Sequence, residues 1–139
     1  MPFHPDDPLE AAFDGDGEHW TLTHPLHWTD PQEEWVIEVP AGFRTDFASV
    51  PRGAWNIFPP TGKYAPAAVL HDWLYWTAMV GEIPISRGYA DGVLRRASEE
   101  CGVNRFSRMM LWLGVRAGGH WIWERYRKAQ LEGKEKRDA

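Results

Sequence analysis

Apolar residues alternate with polar ones in the first third of the chain and recur at helical spacing after residue 64. Trp20-Thr21-Leu22-Thr23 alternates, and Trp35-Val36-Ile37-Glu38-Val39 is rich in β-branched residues. Strands are therefore predicted over 18–28 and 34–39, with Asp30-Pro31 breaking between them and Pro40-Ala41-Gly42 ending the second. Val69, Leu70, Trp73, Leu74 and Trp76 cover a broad arc of a helix predicted over 65–80, with Pro66 in its first turn and Gly81 and Pro84 beyond its end. Ser86 reads as the N-cap of a second helix, whose Ala90, Val93, Leu94, Ala97 and Cys101 repeat at helical spacing up to Gly102. A third helix is predicted after Asn104, with Phe106, Met109, Met110, Trp112 and Leu113 as its buried side. It is interrupted at Gly118-Gly119 and resumes for a further turn or two to Lys128. Strands first and helices later predict an α+β fold. A small N-terminal antiparallel sheet would pack on about three helices, with an antiparallel helical hairpin over 65–101 at the centre.

Composition sharpens this picture. The 139 residues suit one domain over 18–129, preceded by an acidic arm over 1–17 and followed by a charged tail over 130–139. Nine Trp and 14% aromatic residues mean that the core, or a binding surface, is built from large flat side chains. The single cysteine, Cys101, excludes an internal disulfide framework. No apolar run is long enough to span a bilayer, and the proline-broken acidic start does not read as a signal peptide. Residues 1–50 hold one Lys/Arg against eleven Asp/Glu, whereas 104–139 hold nine against four. The overall charge of −5 argues against a general nucleic-acid binder. Trp, Tyr and basic residues mixed over 120–128 suit a membrane interface or an anionic partner, and suit better a helix packing through its aromatics.

Chemistry concentrates on the first helix. His71, Asp72 and Tyr75 share the gap in its apolar arc, and that gap either faces water or meets a second helix. Asp91, one turn inside the second helix, is the carboxylate that His71 and Tyr75 would meet, and alone it reads as a charge near a helix N-terminus. Asp46, in the polar and aromatic connection 42–60, is a candidate metal ligand, or else a turn residue or a partner of Arg44 or Arg52. His19, His24 and His27 fit no zinc-ligand spacing and read as strand or turn histidines.

Two resemblances follow from these residues. The ordered series VPAGFRTDFASVPR, GKYAPAAVLHDWLYW and SRGYADGVL resembles a family of short, uncharacterised proteins of tailed phages and prophages, across roughly residues 35–125. This implies a location in the host cytoplasm or the virion and other phage proteins as partners, but no activity. The HDxxY helix followed by a distant Asp is similar to the catalytic helix pair of phospholipases A2. That likeness implies His71 as general base, Tyr75 and Asp91 as its orienting pair, Asp72 as a Ca2+ ligand assisted by Asp46, and a lipid or other ester as substrate. The bracing cysteines and the glycine-rich calcium loop of that family are missing. Three functions stand open: a phage-encoded ester or amide hydrolase, a non-enzymatic accessory or virion component with a structural His–Asp–Tyr cluster, and a zinc or manganese hydrolase site built from His71, Asp72, Asp91 and Asp46.

Overall fold

The computed structural model describes residues 11–13, 20–45 and 64–135. Its strands are short and lie mostly before its helices, as expected of an α+β chain. Strand β1 (Ala11–Phe13) pairs antiparallel with β2 (Trp20–Leu22), and β2 pairs with β5 (Arg44–Thr45). Strands β3 (Leu26–Thr29) and β4 (Val36–Val39) form a separate antiparallel hairpin. The predicted strand 18–28 is thus split at Thr23-His24-Pro25, and its halves join two different sheets. Pro25 lacks an N–H to continue a ladder, which accounts for the break. Register in the β3–β4 hairpin sets Leu26 against Val39 and Trp28 against Ile37. All four of these side chains are buried, while His27 and Glu38 pair across the other face.

Helix α1 (Ala65–Thr77) is the centre of the molecule, with Pro66 in its first turn as the sequence indicates. It packs against α2 (Arg87–Glu100), α4 (His120–Leu131), β4 and β5. It is buried almost all round: Ala67, Ala68, Val69, Leu70 and Leu74 are enclosed, and so are His71, Asp72 and Tyr75. The polar gap therefore faces the interior, and the alternative in which it faces water is corrected.

The helix ends three residues sooner than predicted. Ala78 takes left-handed angles, and a small hairpin of β6 (Met79–Val80) and β7 (Ile83–Pro84) leads on to α2. Ser86 caps α2 by accepting from the backbone N–H of Tyr89, and Asn104 caps α3 (Arg105–Gly118) in the same way through Ser107.

Helix α3 overturns an expectation. Phe106, Met109 and Leu113 are exposed, and the helix instead buries Leu111 and Val115 on its opposite side. Two separate helices follow Asn104, because Gly119 divides α3 from α4. The aromatics of α4 pack largely inward: Trp123 meets Tyr75 edge-on with Arg127 over its ring, and Tyr126 is buried against Trp76. Trp121 is the exception, and it is exposed.

Candidate functional site

Asp91 is the point on which the polar side chains of three helices converge. Its Oδ1 accepts from His71 Nε2 at 2.7 Å and from the Tyr75 hydroxyl at 2.6 Å, both carried by α1 one turn apart. Its Oδ2 accepts from Arg116 Nη1 of α3 at 2.9 Å and from Arg87 of its own helix at 3.4 Å. Arg87 also donates to the backbone carbonyls of Val115 and Arg116, which ties α2 to the last turn of α3. His71, Tyr75 and Asp91 are completely buried. Burial works to raise the Asp91 carboxyl. The hydrogen bond from His71, then those from Tyr75 and Arg116, outweigh it and hold the group below its ordinary range. Burial, reinforced by the neighbouring Asp91 charge, pushes the Tyr75 phenol well above its usual value, so it stays a donor.

An ionised Asp91 only accepts hydrogen bonds, so the ring must present Nε2–H to it. In the neutral ring that arrangement leaves the lone pair on Nδ1. Nδ1 is buried, and among the described residues nothing lies within hydrogen-bond reach of it.

Asp72 points elsewhere. Its Oδ2 accepts from Thr45 Oγ1 of β5 at 2.6 Å and its Oδ1 from the Tyr126 hydroxyl of α4 at 3.3 Å. Calcium takes six to eight oxygens. Among the described residues no group of three or more His, Cys, Asp or Glu side chains is placed to hold an ion. Both Asp72 oxygens thus accept from hydroxyls, and its described neighbours add no pair of His, Cys, Asp or Glu side chains to complete an ion site. Asp46 and His19 lie outside the described residues, as does most of the 42–60 connection. His24 sits in the turn beside Thr23, and His27 lies on β3 opposite Glu38.

Sequence reasoning brought His71, Tyr75 and Asp91 together but missed Arg87, Arg116 and Gly119. The last is legible only in part, as a helix break. A Cβ at Gly119 would lie 2.3 Å from the Tyr75 hydroxyl oxygen and 2.5 Å from the Val115 carbonyl oxygen. Gly119→Ala is therefore expected to destabilise by about 1–3 kcal/mol through overpacking. Tyr75→Phe removes the oxygen nearest that methyl, so the double variant should be more stable than the two single losses predict. Urea melts of the four proteins measure this, and strict additivity would exclude the contact.

A second buried carboxylate, Asp30, was also missed. It accepts from Tyr89 at 2.5 Å and Arg96 at 2.9 Å on α2 and from the Gln32 backbone at 2.8 Å, while Trp35 donates to Tyr89. Burial opposes ionisation here too, but these donors hold the Asp30 carboxyl below its usual range. Because the folded values of Asp30 and Asp91 lie under the ordinary 3.8, the native state binds fewer protons than the unfolded chain in that region. Stability from both groups should be complete above about pH 5 and fall as pH drops through 3.8 toward the folded values. Urea midpoints measured from pH 6 down to about pH 3 test this, and Asp91→Asn should flatten the slope.

A cavity of about 510 Å³ lies between β4, α1 and the β6–β7 hairpin, lined by Ile37, Trp73, Thr77 and Met79 among others. No member of the Asp91 cluster lines it. No described helix is long and apolar enough to cross a membrane.

The sequence pattern of one protein family matches residues 20–115, from the start of β2 through Val115 of α3. The chain belongs to that family. It is described as a protein of unknown function, DUF1353, and the match takes in His71, Asp72, Tyr75, Asp91 and Arg87. Gly119 and Tyr126, which contact the DUF1353 core from α4 and its cap, lie beyond the matched stretch. No curated protein and no solved structure matches the chain.

Proposed function

We propose that this chain is a phage-encoded hydrolase of ester or amide bonds, with a lipid ester as the first substrate to test and His71 Nδ1 as general base. One observation carries the reading. Nδ1 is a buried ring nitrogen with no partner among the described residues, while the other nitrogen is held by an over-determined carboxylate. A histidine that served only to fill and fasten the core would be expected to satisfy both nitrogens, since an unmet buried polar atom costs about 1–3 kcal/mol. Asp91 fixes the ring's orientation and tautomer, and Tyr75 and Arg116 fix Asp91. A water at Nδ1 would give up a proton to it as the water oxygen bonds to the carbonyl carbon. The same proton would then pass to the departing alkoxide or amine. The likeness of the HDxxY helix and distant Asp to phospholipases A2 supports this assignment of roles, and no step runs through a metal.

A second reading is favoured by burial. His71, Asp72, Tyr75 and Asp91 all have no exposed surface, which suits a structural polar lock in a phage accessory or virion component. Hydrolysis of phospholipid and of p-nitrophenyl esters by wild type and His71→Gln separates the two. Turnover lost in the variant supports the hydrolase, and no wild-type turnover on any ester or amide leaves the lock.

A further inference from the structure

Helix α3 shows its apolar side to solvent. At about 100° per residue, Phe106, Met109, Leu113 and Ala117 fall within roughly 80° of one another, and the buried Leu111 and Val115 lie opposite. Phe106 is 68% exposed. Gly119 keeps right-handed helical angles, so Trp121 at the start of α4, 67% exposed, follows Ala117 at helical spacing, and the same count sets exposed Glu124 in line with Phe106. A stripe of this kind with an aromatic residue at each end is unusual on a free surface.

Charge narrows what can cover it. Helix α3 contains no acidic residue, and residues 105–128 hold six Lys/Arg against the single Glu124. Arg105 and Arg116 border the stripe on the Met109 side, and Arg125 and Lys128 are exposed further along α4. A second copy docking through the same face would bring the cations of one copy toward the cations of the other. Apolar and aromatic side chains flanked by Arg on one helix face are instead the pattern of a helix lying in a bilayer interface.

We propose that the exposed face formed by Phe106, Met109 and Leu113 of α3 and Trp121 of α4 seats on an anionic lipid surface, with Arg105, Arg125 and Lys128 at the headgroups. This does not depend on hydrolysis, and ether-linked lipids, which lack the ester bond, keep the two questions apart. The experiment is flotation of the full chain with vesicles of ether-linked phosphatidylcholine alone, and of an equimolar mixture with ether-linked phosphatidylglycerol. Wild type should bind the mixed vesicles at least about tenfold more tightly than the neutral ones, and lose that preference as salt rises. Phe106→Ser and Trp121→Ser should each weaken binding by about tenfold or more, and Arg105→Glu by about fivefold or more. Because these side chains are exposed, urea midpoints should stay near wild type, so that a loss of binding reads as a loss of contact. The proposal is overturned if folded wild type ignores anionic vesicles, if it binds neutral ones equally, or if binding survives the Phe106 and Trp121 changes. A dimer that these variants disrupt, without vesicle binding, would also overturn it and assign the face to a second copy.

Discussion

Asp91→Ala is expected to destabilise the chain by about 3–5 kcal/mol, a large part of a typical domain's stability. The size follows from what the carboxylate leaves behind. His71 Nε2–H and the Tyr75 hydroxyl would both lose their acceptor in a fully buried setting, at about 1–3 kcal/mol each. Arg87 and Arg116 would lose their counter-charge as well. Those two suffer less, because Arg87 keeps the carbonyls of Val115 and Arg116, and Arg116 is over one-third exposed and can turn to water. Asp91→Asn keeps the shape and one acceptor oxygen, and should cost less than the alanine variant. Urea denaturation of the three proteins at pH 7 measures the order, and a loss below about 1 kcal/mol for alanine would show that the cluster fastens nothing.

His71→Gln should act mainly on turnover. Removing a general base lowers rates by about a hundredfold or more. Asp91 would keep Tyr75, Arg116 and Arg87 as donors, so no charge is stranded and the expected stability loss is only about 1–2 kcal/mol. A hydrolysis assay and a urea melt on the same preparations give the two numbers. A loss above about 3 kcal/mol with no wild-type hydrolysis would favour the structural lock. The asymmetry between Asp91 and His71 is itself informative: among the described residues the acceptor has four donors, while the histidine has a hydrogen-bond partner at Nε2 and none at Nδ1.

Much of this arrangement is legible in the sequence, for reasons that differ by residue. Ser86 and Asn104 announce helix starts because capping depends on four consecutive residues and little else. His71 and Tyr75 share a face by helical period alone, and Asp91 follows once α1 and α2 are taken to pack together. Arg116 could not be foreseen, because its place depends on how α3 docks, and the period of α3 pointed the wrong way. An apolar stripe states that a helix has a face to cover, but not that the chain itself supplies the cover. The same limit hid Asp30. Asp-Pro reads locally as a turn, and the residue does accept from Gln32, yet its stronger partners Tyr89 and Arg96 are some sixty positions away. Strand β1, three residues of Ala-Ala-Phe, offers too short a pattern to read and owes its pairing to β2.

One carboxylate on α2 receives side chains from α1 and α3, while Arg127 and Gln130 of α4 donate to the closing carbonyls of α1. None of the four described helices can therefore detach without breaking a buried or partly buried polar contact held by another. Sub-global openings, in which one helix frays while the rest stay closed, are correspondingly expensive. Amide protons in the middle of α1 and α2 are then expected to exchange through whole-molecule unfolding, and the helical layer forms one cooperative unit to which Asp30 and Thr45 tie the strands as well.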